Sequence, residues 1–243
     1  MKIVKHIPNT ITSMNLLCGV LGVIATLRGD INIAFCLMLA AAVFDFCDGL
    51  SARLLNAYSD LGKQLDSLAD MVSFGILPSI MLYKLMEIAN GESVWCYIPL
   101  VIAVFSALRL AKFNIDERQS DNFIGLATPA CAMICGSFAY YVSIDPSSVM
   151  YTWTTTRFFI PIVSLILSLL LVSEIPMFSM KFKKNIKAGT PIHKQRVAFF
   201  GVIFVAAILV ILLGLNWSMI ILLTFVSYIV MNLGEYFLLK RKH

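Results

Sequence analysis

Eight apolar stretches, each close to the length of a membrane crossing, dominate this chain of 243 residues. They run at roughly 11–29, 31–52, 64–88, 94–113, 123–142, 155–174, 197–214 and 217–239. A hydrocarbon core of about 30 Å takes about 20 helical residues to cross. Inside it every backbone N–H and C=O must be paired, and a single apolar segment satisfies that demand only as a helix. The expected fold class is therefore all-α: a polytopic membrane helical bundle of about eight transmembrane helices. Composition agrees, with 59% hydrophobic and only 14% charged residues. Met1 to Pro8 is short and basic, and no small-residue cleavage site follows the first apolar run, which therefore reads as a retained helix.

Basic residues set the orientation. With both termini placed in the cytoplasm, 16 of the 19 Lys and Arg fall on the cytoplasmic side. Arg28, Lys84 and Arg157 fall elsewhere, which is the asymmetry of the positive-inside rule. The net charge of +5 suits an anionic membrane surface or a phosphate-bearing substrate. The basic run M-K-F-K-K-N-I-K most simply meets anionic lipid head groups. Aromatic and basic residues are not interleaved as in a nucleic-acid groove, so no nucleic-acid partner is expected. The six cysteines form no CxxC pair and read as small packing residues, all but Cys96 in buried helical settings. His6, His193 and His243 are peripheral, leaving no Cys/His metal site, nucleophile pair or glycine-rich phosphate loop.

Against this apolar background stands the stretch from Asp45 to Asp70: D-F-C-D-G-L-S-A-R, eight residues, then G-K-Q-L-D-S-L-A-D. Asp45 and Asp48 lie three apart and Asp66 and Asp70 four apart, so each pair projects from one face of its helix. The short link Asn56 to Leu61 lets the second helix fold back against the first, and four carboxylates converge. Acids within a membrane span are costly and functional by default, and a converging set needs a counter-charge to stay ionised. One resolution is an ion-pair network with Arg53, Lys63 or Arg109. The other, favoured because the acids outnumber the cations on these two helices, is a divalent cation. Hard oxygen ligands with room for phosphate suit Mg2+ or Mn2+ rather than zinc.

The surroundings are polar or small. Asp45, Asp48, Gly49, Ala52 and Arg53 share one helix face, and the two small residues let either another helix or a ligand lie close. In the opening I-P-N-T-I-T-S-M-N, Asn9 or Thr10 caps the first helix with Pro8 marking its start. Alternatively, Asn9 and Thr12 read the edge of a base or ribose. Pro78, with Gly75 nearby, is expected to kink its helix and open a lateral gap. Arg109 and Lys112 reach the level of the acids, either as ordinary anchors or as an anion clamp for diphosphate or carboxylate. The polar loop N-I-D-E-R-Q-S-D-N covers a soluble substrate or merely connects two helices.

A metal–carboxylate cage at the cytoplasmic face suits displacement at phosphorus. Metal ions neutralise and orient a diphosphate, and two of them about 3.5–4 Å apart can bridge one oxygen. A less tightly held carboxylate can take the proton of an attacking hydroxyl. Asp70, last on its helix face and farthest from Asp45, is the candidate base.

The stretch Asp45 to Asp70 reads D-x2-D-G-x2-A-R-x8-G-x3-D-x3-D and resembles the signature of the CDP-alcohol phosphotransferases. The resemblance implies metal ligation by Asp45, Asp48, Asp66 and Asp70, with Asp70 also the general base. It implies nucleotide contacts from Gly49, Arg53 and Ser59, close approach at Gly62, and a further nucleotide-binding element at Asn9 to Thr12. Such enzymes move a phosphatidyl group from CDP-diacylglycerol to an alcohol, release CMP, use Mg2+ or Mn2+, and are usually homodimers. The flanks S-F-G-I-L-P-S, A-L-R-L-A-K-F-N and G-L-A-T-P-A resemble the membrane-embedded phosphatidylserine synthases of that family. By that likeness the acceptor is L-serine, whose carboxylate could meet Arg109 or Lys112. The expected organisation is one integral-membrane domain over 1–243 in the cytoplasmic membrane, with its active site facing the cytoplasm. Its catalytic core is about 7–174, with additional helices at about 197–239.

Rival readings remain within and beyond this class. Glycerol 3-phosphate or inositol could replace serine. An intramembrane prenyltransferase would carry its Asp-rich motifs on well-separated helix pairs, and a metal-ion transporter would continue its polar positions across the bilayer. Here one short link joins the motifs, and both helices turn apolar away from the cytoplasmic end.

Overall fold

A computed structural model of the chain describes residues 6–116, 123–177 and 191–240, nearly all of them helical. Helices α1 (His6–Leu27) and α2 (Ile31–Leu54) form a hairpin closed at Gly29, whose φ is +91°. After α2 the chain turns through Asn56, φ +48°, a left-handed conformation that asparagine tolerates. Helix α3 (Asp60–Asp70) then starts on a Ser59 cap, whose Oγ accepts from the Gly62 N–H at 3.0 Å. It runs through a π-helical segment, Met71–Ile76, into α4 (Leu77–Asn90). A tight 3-10 segment, Val94–Leu100, leads to α5 (Val101–Ile115). Beyond it come β1 (Phe123–Ile124), α6 (Thr128–Ile144), α7 (Val149–Thr155), α8 (Phe159–Val172), β2 (Pro176–Met177), α9 (Pro191–Leu212) and α10 (Ser218–Lys240). The two short strands pair antiparallel, Phe123 with Met177 and Ile124 with Pro176.

Each of the eight apolar stretches carries a helix. Among the described residues, five helices are long and apolar enough to cross a membrane, or six if α7 and α8, bent by 91°, make one broken span. Helix α6 and residues Val197–Leu212 of α9 are apolar but shorter. Helix α6 is buried along most of its length, as a helix apolar all round should be, and it packs on α2, α4 and α10. Helices α9 and α10 pack on each other, and through α10 they join the same core.

Four local expectations are corrected. Helix α3 packs chiefly on α1 instead of folding back along α2, so α1 forms a third wall beside the acids. The chain is already helical at His6, so Asn9 and Thr10 are inside the first turns and cap nothing. The Thr10 and Thr12 hydroxyls donate back to the His6 and Pro8 carbonyls, both at 3.0 Å. At Pro78 no gap opens: the 31 residues Asp60–Asn90 run as one helix. Proline lacks an N–H and crowds the carbonyl four residues back, and the wider π turn ahead of it absorbs both. Gly75 in that turn is buried, where a Cβ would lie 3.0 Å from Ser106 Cβ on α5. This glycine closes a helix contact. Cys96, finally, is buried and Cys36 exposed, the reverse of their expected settings.

The long helix explains the depth of the site. Its 31 residues span about 46 Å at 1.5 Å per residue, more than the hydrocarbon core needs. It is long enough for the polar turns of α3 to lie outside that core while the apolar α4 lies within it.

The small strand pair straps the start of α6 to the end of α8. Gly125, φ +76°, donates its N–H to Ile175 O, and Leu126 donates to Leu170 O, both at 2.9 Å. A Cβ on Gly125 would lie 2.7 Å from Leu171 O and 2.8 Å from Ser173 O. Gly125→Ala is expected to cost about 1–3 kcal/mol through strained φ and overpacking, read as a lower midpoint of thermal unfolding in detergent. An unchanged midpoint would show that the strap adds no stability.

Candidate active site

Polar residues inside the bundle gather where α1, α2 and α3 meet. Asp45 and Asp48 face this point from α2, and Asp66 faces it from α3. One oxygen from each of the three lies within 4.8 Å of the other two. Asp70, the last residue of α3, is buried, and its Oδ1 accepts from Asn15 Nδ2 at 3.3 Å. It lies within electrostatic reach of the other three acids. Of the four carboxylates expected to converge, Asp45, Asp48 and Asp66 come together, and Asp70 stands outside that trio on Asn15 of α1.

Lysine and arginine do not neutralise this quartet. Among the described residues the ion pairs are Lys84–Glu87 and Lys112–Glu174, the latter at 3.8 Å. Each nearby cation is held elsewhere. Arg53 Nε donates to Gly49 O at 2.9 Å, and Lys63 Nζ donates to Asn114 O at 3.0 Å. Arg109 Nη1 donates to Thr128 Oγ1 at 3.1 Å, and its guanidinium lies over the Phe113 ring, 5.1 Å from the centroid. Asp48 Oδ2 and Asp66 Oδ1 are buried with no hydrogen-bond partner. A buried acceptor without a donor costs about 1–3 kcal/mol, more when charged. An all-oxygen set of this kind fits a hard divalent cation.

A cavity of about 540 Å3 opens beside the acids, a volume within the range of small-ligand sites. Pro8, Asn9 and Thr12 of α1 form one wall, and Asp48, Gly49 and Ala52 of α2 another. Ala57 to Ser59 of the link, with Asp60, Gly62, Lys63 and Asp66 of α3, close it. Asp48 and Asp66 belong both to the acid cluster and to the cavity wall, so a ligand seated there meets the carboxylates directly. Gly62 brings α3 against α1: a Cβ there would lie 3.0 Å from both Asn9 Oδ1 and Ser59 Oγ.

Of the residues singled out in the sequence, Asn9, Thr12, Gly49, Ser59 and Gly62 line this cavity together with two of the acids. Arg53 is exposed and lies back along its own helix, at the rim beside Gly49. Arg109 and Lys112 line a separate, small recess with Ile124, Leu171, Val172 and Ser173. Arg109 is buried and feels the charge of Asp70, whereas Lys112 turns to Glu174. Residues 117–122 of the polar loop and the basic run around 180–187 lie outside the described residues.

In the sequence Tyr58 is not singled out, Lys63 reads only as an ion-pair or anchoring cation, and Asn15 only as one of the polar residues that open the first helix. Lys63 and Tyr58 fall within the signature's variable gaps, where spacing carries no information. The meeting of Asn15 with the acids had a readable signal, because Thr12 and Asn15, three apart, put two polar side chains on one face of an apolar helix.

Comparison with known proteins places this geometry in a lineage. A family model described as CDP-alcohol phosphatidyltransferase matches residues 5–170. A CDP-diacylglycerol–serine O-phosphatidyltransferase of Bacillus subtilis (strain 168) is 32% identical over 187 residues, covering 76% of this chain and 98% of the relative. Its counterpart in Mycobacterium leprae (strain TN) is 31% identical over 231 residues, 92% of this chain and 73% of that protein. An archaetidylserine synthase of Methanothermobacter thermautotrophicus is 30% identical over 149 residues, 59% and 63% of the two chains. The matched region runs through α1 to α8, the helices that carry the acids and the cavity, and the chain belongs to the CDP-alcohol phosphatidyltransferase family.

Proposed function

We propose that this enzyme transfers the phosphatidyl group of CDP-diacylglycerol to the hydroxyl of L-serine and releases CMP. The carrying observation is the cavity of about 540 Å3 whose wall includes Asp48 and Asp66, acids no cation of the described chain neutralises. Relatives named for the serine reaction, similar over most of this chain, support the choice of acceptor.

The cytidine diphosphate end of the donor occupies the cavity, contacted by Asn9, Thr12, Gly49, Ser59 and Gly62, with Arg53 closing from the rim. Asp45, Asp48, Asp66 and Asp70 would hold Mg2+ or Mn2+, as two ions. Bound there, such ions supply charge neutralisation for the diphosphate and stabilise the departing phosphate. Asp70 takes the proton of the serine hydroxyl as that oxygen forms its bond to the phosphatidyl phosphorus. The bond from phosphorus to the CMP oxygen breaks, and CMP leaves with the electron pair. Arg109 or Lys112, in the neighbouring recess, receives the serine carboxylate. Arg109 is buried within electrostatic range of Asp70 without pairing to it, which supports placing acceptor and base near one another.

The enzyme crosses the cytoplasmic membrane eight times, with both termini and the site on the cytoplasmic side. The distribution of 16 of 19 basic residues supports this topology. The chain is one domain with its catalytic core at about 7–174, and it works as a homodimer. A similarity covering 92% of the chain supports reading the last helices as part of the same unit.

Purified protein given CDP-diacylglycerol, Mn2+ or Mg2+, and labelled serine, glycerol 3-phosphate or inositol in parallel tests the assignment. CMP release is expected with serine, and release dependent on inositol alone overturns it. Asp70→Asn should lower turnover by at least about 100-fold, the scale of a lost general base, while most CDP affinity remains. A wild-type rate in that variant removes Asp70 as the base. Chelation by EDTA should abolish turnover, and added Mn2+ or Mg2+ should restore it. Full activity in EDTA would exclude a metal role for the quartet.

A further inference from the structure

Asn15 stands behind the acids and lines neither cavity. Its side chain is fully buried. Its Nδ2 donates to Asp70 Oδ1 at 3.3 Å, and its backbone carbonyl accepts from Ser73 Oγ at 3.1 Å. One turn further on, Gly19 lets α1 approach the π segment so closely that a Cβ would lie 3.0 Å from Ser73 Cα. These contacts hold α1 against the helix just beyond Asp70 and leave the Asn15 amide little room to withdraw.

Its orientation follows from chemistry. An ionised carboxylate only accepts hydrogen bonds, so the NH2 end of the amide must face Asp70. The other end, Oδ1, is buried and has no partner. A serine or threonine could donate to Asp70 without burying an idle carbonyl, whereas asparagine keeps an oxygen that only a bound donor or a cation can satisfy. Two more partnerless acceptors, Asp48 Oδ2 and Asp66 Oδ1, belong to the same cluster. Buried acceptors in native proteins are satisfied as a rule. A hard cation with its water would satisfy these three oxygens together.

We propose that Asn15 is part of the cation site, its NH2 holding Asp70 and its Oδ1 serving as a neutral oxygen ligand, directly or through the cation's water. The inference rests on the cation reading above and extends it. Three helices then enclose the ion, and α1 contributes chemistry as well as a wall.

The test is Mn2+ titration followed by electron paramagnetic resonance on the full chain in detergent, without substrate. Wild type, Asn15→Leu and Asn15→Asp are compared, with thermal melting of each metal-free protein as the check on folding. Asn15→Leu is expected to bind Mn2+ about 10–100-fold more weakly, the range for residues that orient metal ligands. Asn15→Asp, which keeps an oxygen in place, should bind at least as tightly as wild type. Undiminished binding by Asn15→Leu overturns the proposal and leaves the cation reading standing. Equal weakening in both variants also overturns it, because the retained oxygen would then contribute nothing. A wild type that binds no Mn2+ overturns the cation reading, and this inference with it.

Discussion

Carboxylates drawn into an apolar interior carry a large desolvation cost, and much of the surrounding arrangement follows from how that cost is left open. Asp48 and Asp70 are buried, and Asp45 and Asp66 half-buried. The nearest basic groups could have neutralised them. Instead Arg53 lies on Gly49 O, Lys63 on Asn114 O, and Arg109 on Thr128. Closing the quartet with salt bridges would have stabilised the bundle and removed its capacity to bind anything. Leaving the oxygens idle keeps an all-oxygen set that fits a hard cation.

That arrangement holds because α1 brings its backbone close. Gly19 meets the Ser73 backbone and Gly62 meets the Asn9 side chain, so the π segment lies directly on α1 and α3 leaves room for Asn9. Close approach through small residues is the usual device where no hydrophobic force drives helices together. The π turn at Met71–Ile76 lies between the last acid and Pro78, and it joins two unlike halves of one helix. The polar α3 portion carries two of the acids, while the apolar α4 portion packs into the core.

Two recesses are present, and the acids Asp48 and Asp66 line the larger. The larger has walls of small and polar residues suited to a nucleotide, and the smaller holds Arg109 and Lys112 at the strapped junction of α5, α6 and α8. Arg109 lies within electrostatic range of Asp70, the carboxylate that also accepts from Asn15 of α1. Helices α9 and α10, beyond the family match, enter the core through α6, whose N-terminal Thr128 holds Arg109.

The sequence by itself determined the helical, membrane-embedded class, because apolar runs of that length have only one way to pair their backbone. It also determined the four acids and their pairing, because offsets of three and four put side chains on one face whatever the tertiary context. Of the cavity residues, Asn9, Thr12 and Gly49 were legible as polar or small positions on their helices, and Ser59 and Gly62 only through the resemblance. Only the tertiary structure decided that α3 leans on α1, that Pro78 is absorbed by a π turn, and that Arg53, Lys63 and Arg109 turn away from the acids. It also decided that the Asn15 amide meets Asp70, 55 positions along the chain. Periodicity reports which face a residue occupies but not which helix lies opposite that face. Packing of backbones at glycines, and competition among donors for carbonyl oxygens, set the partner.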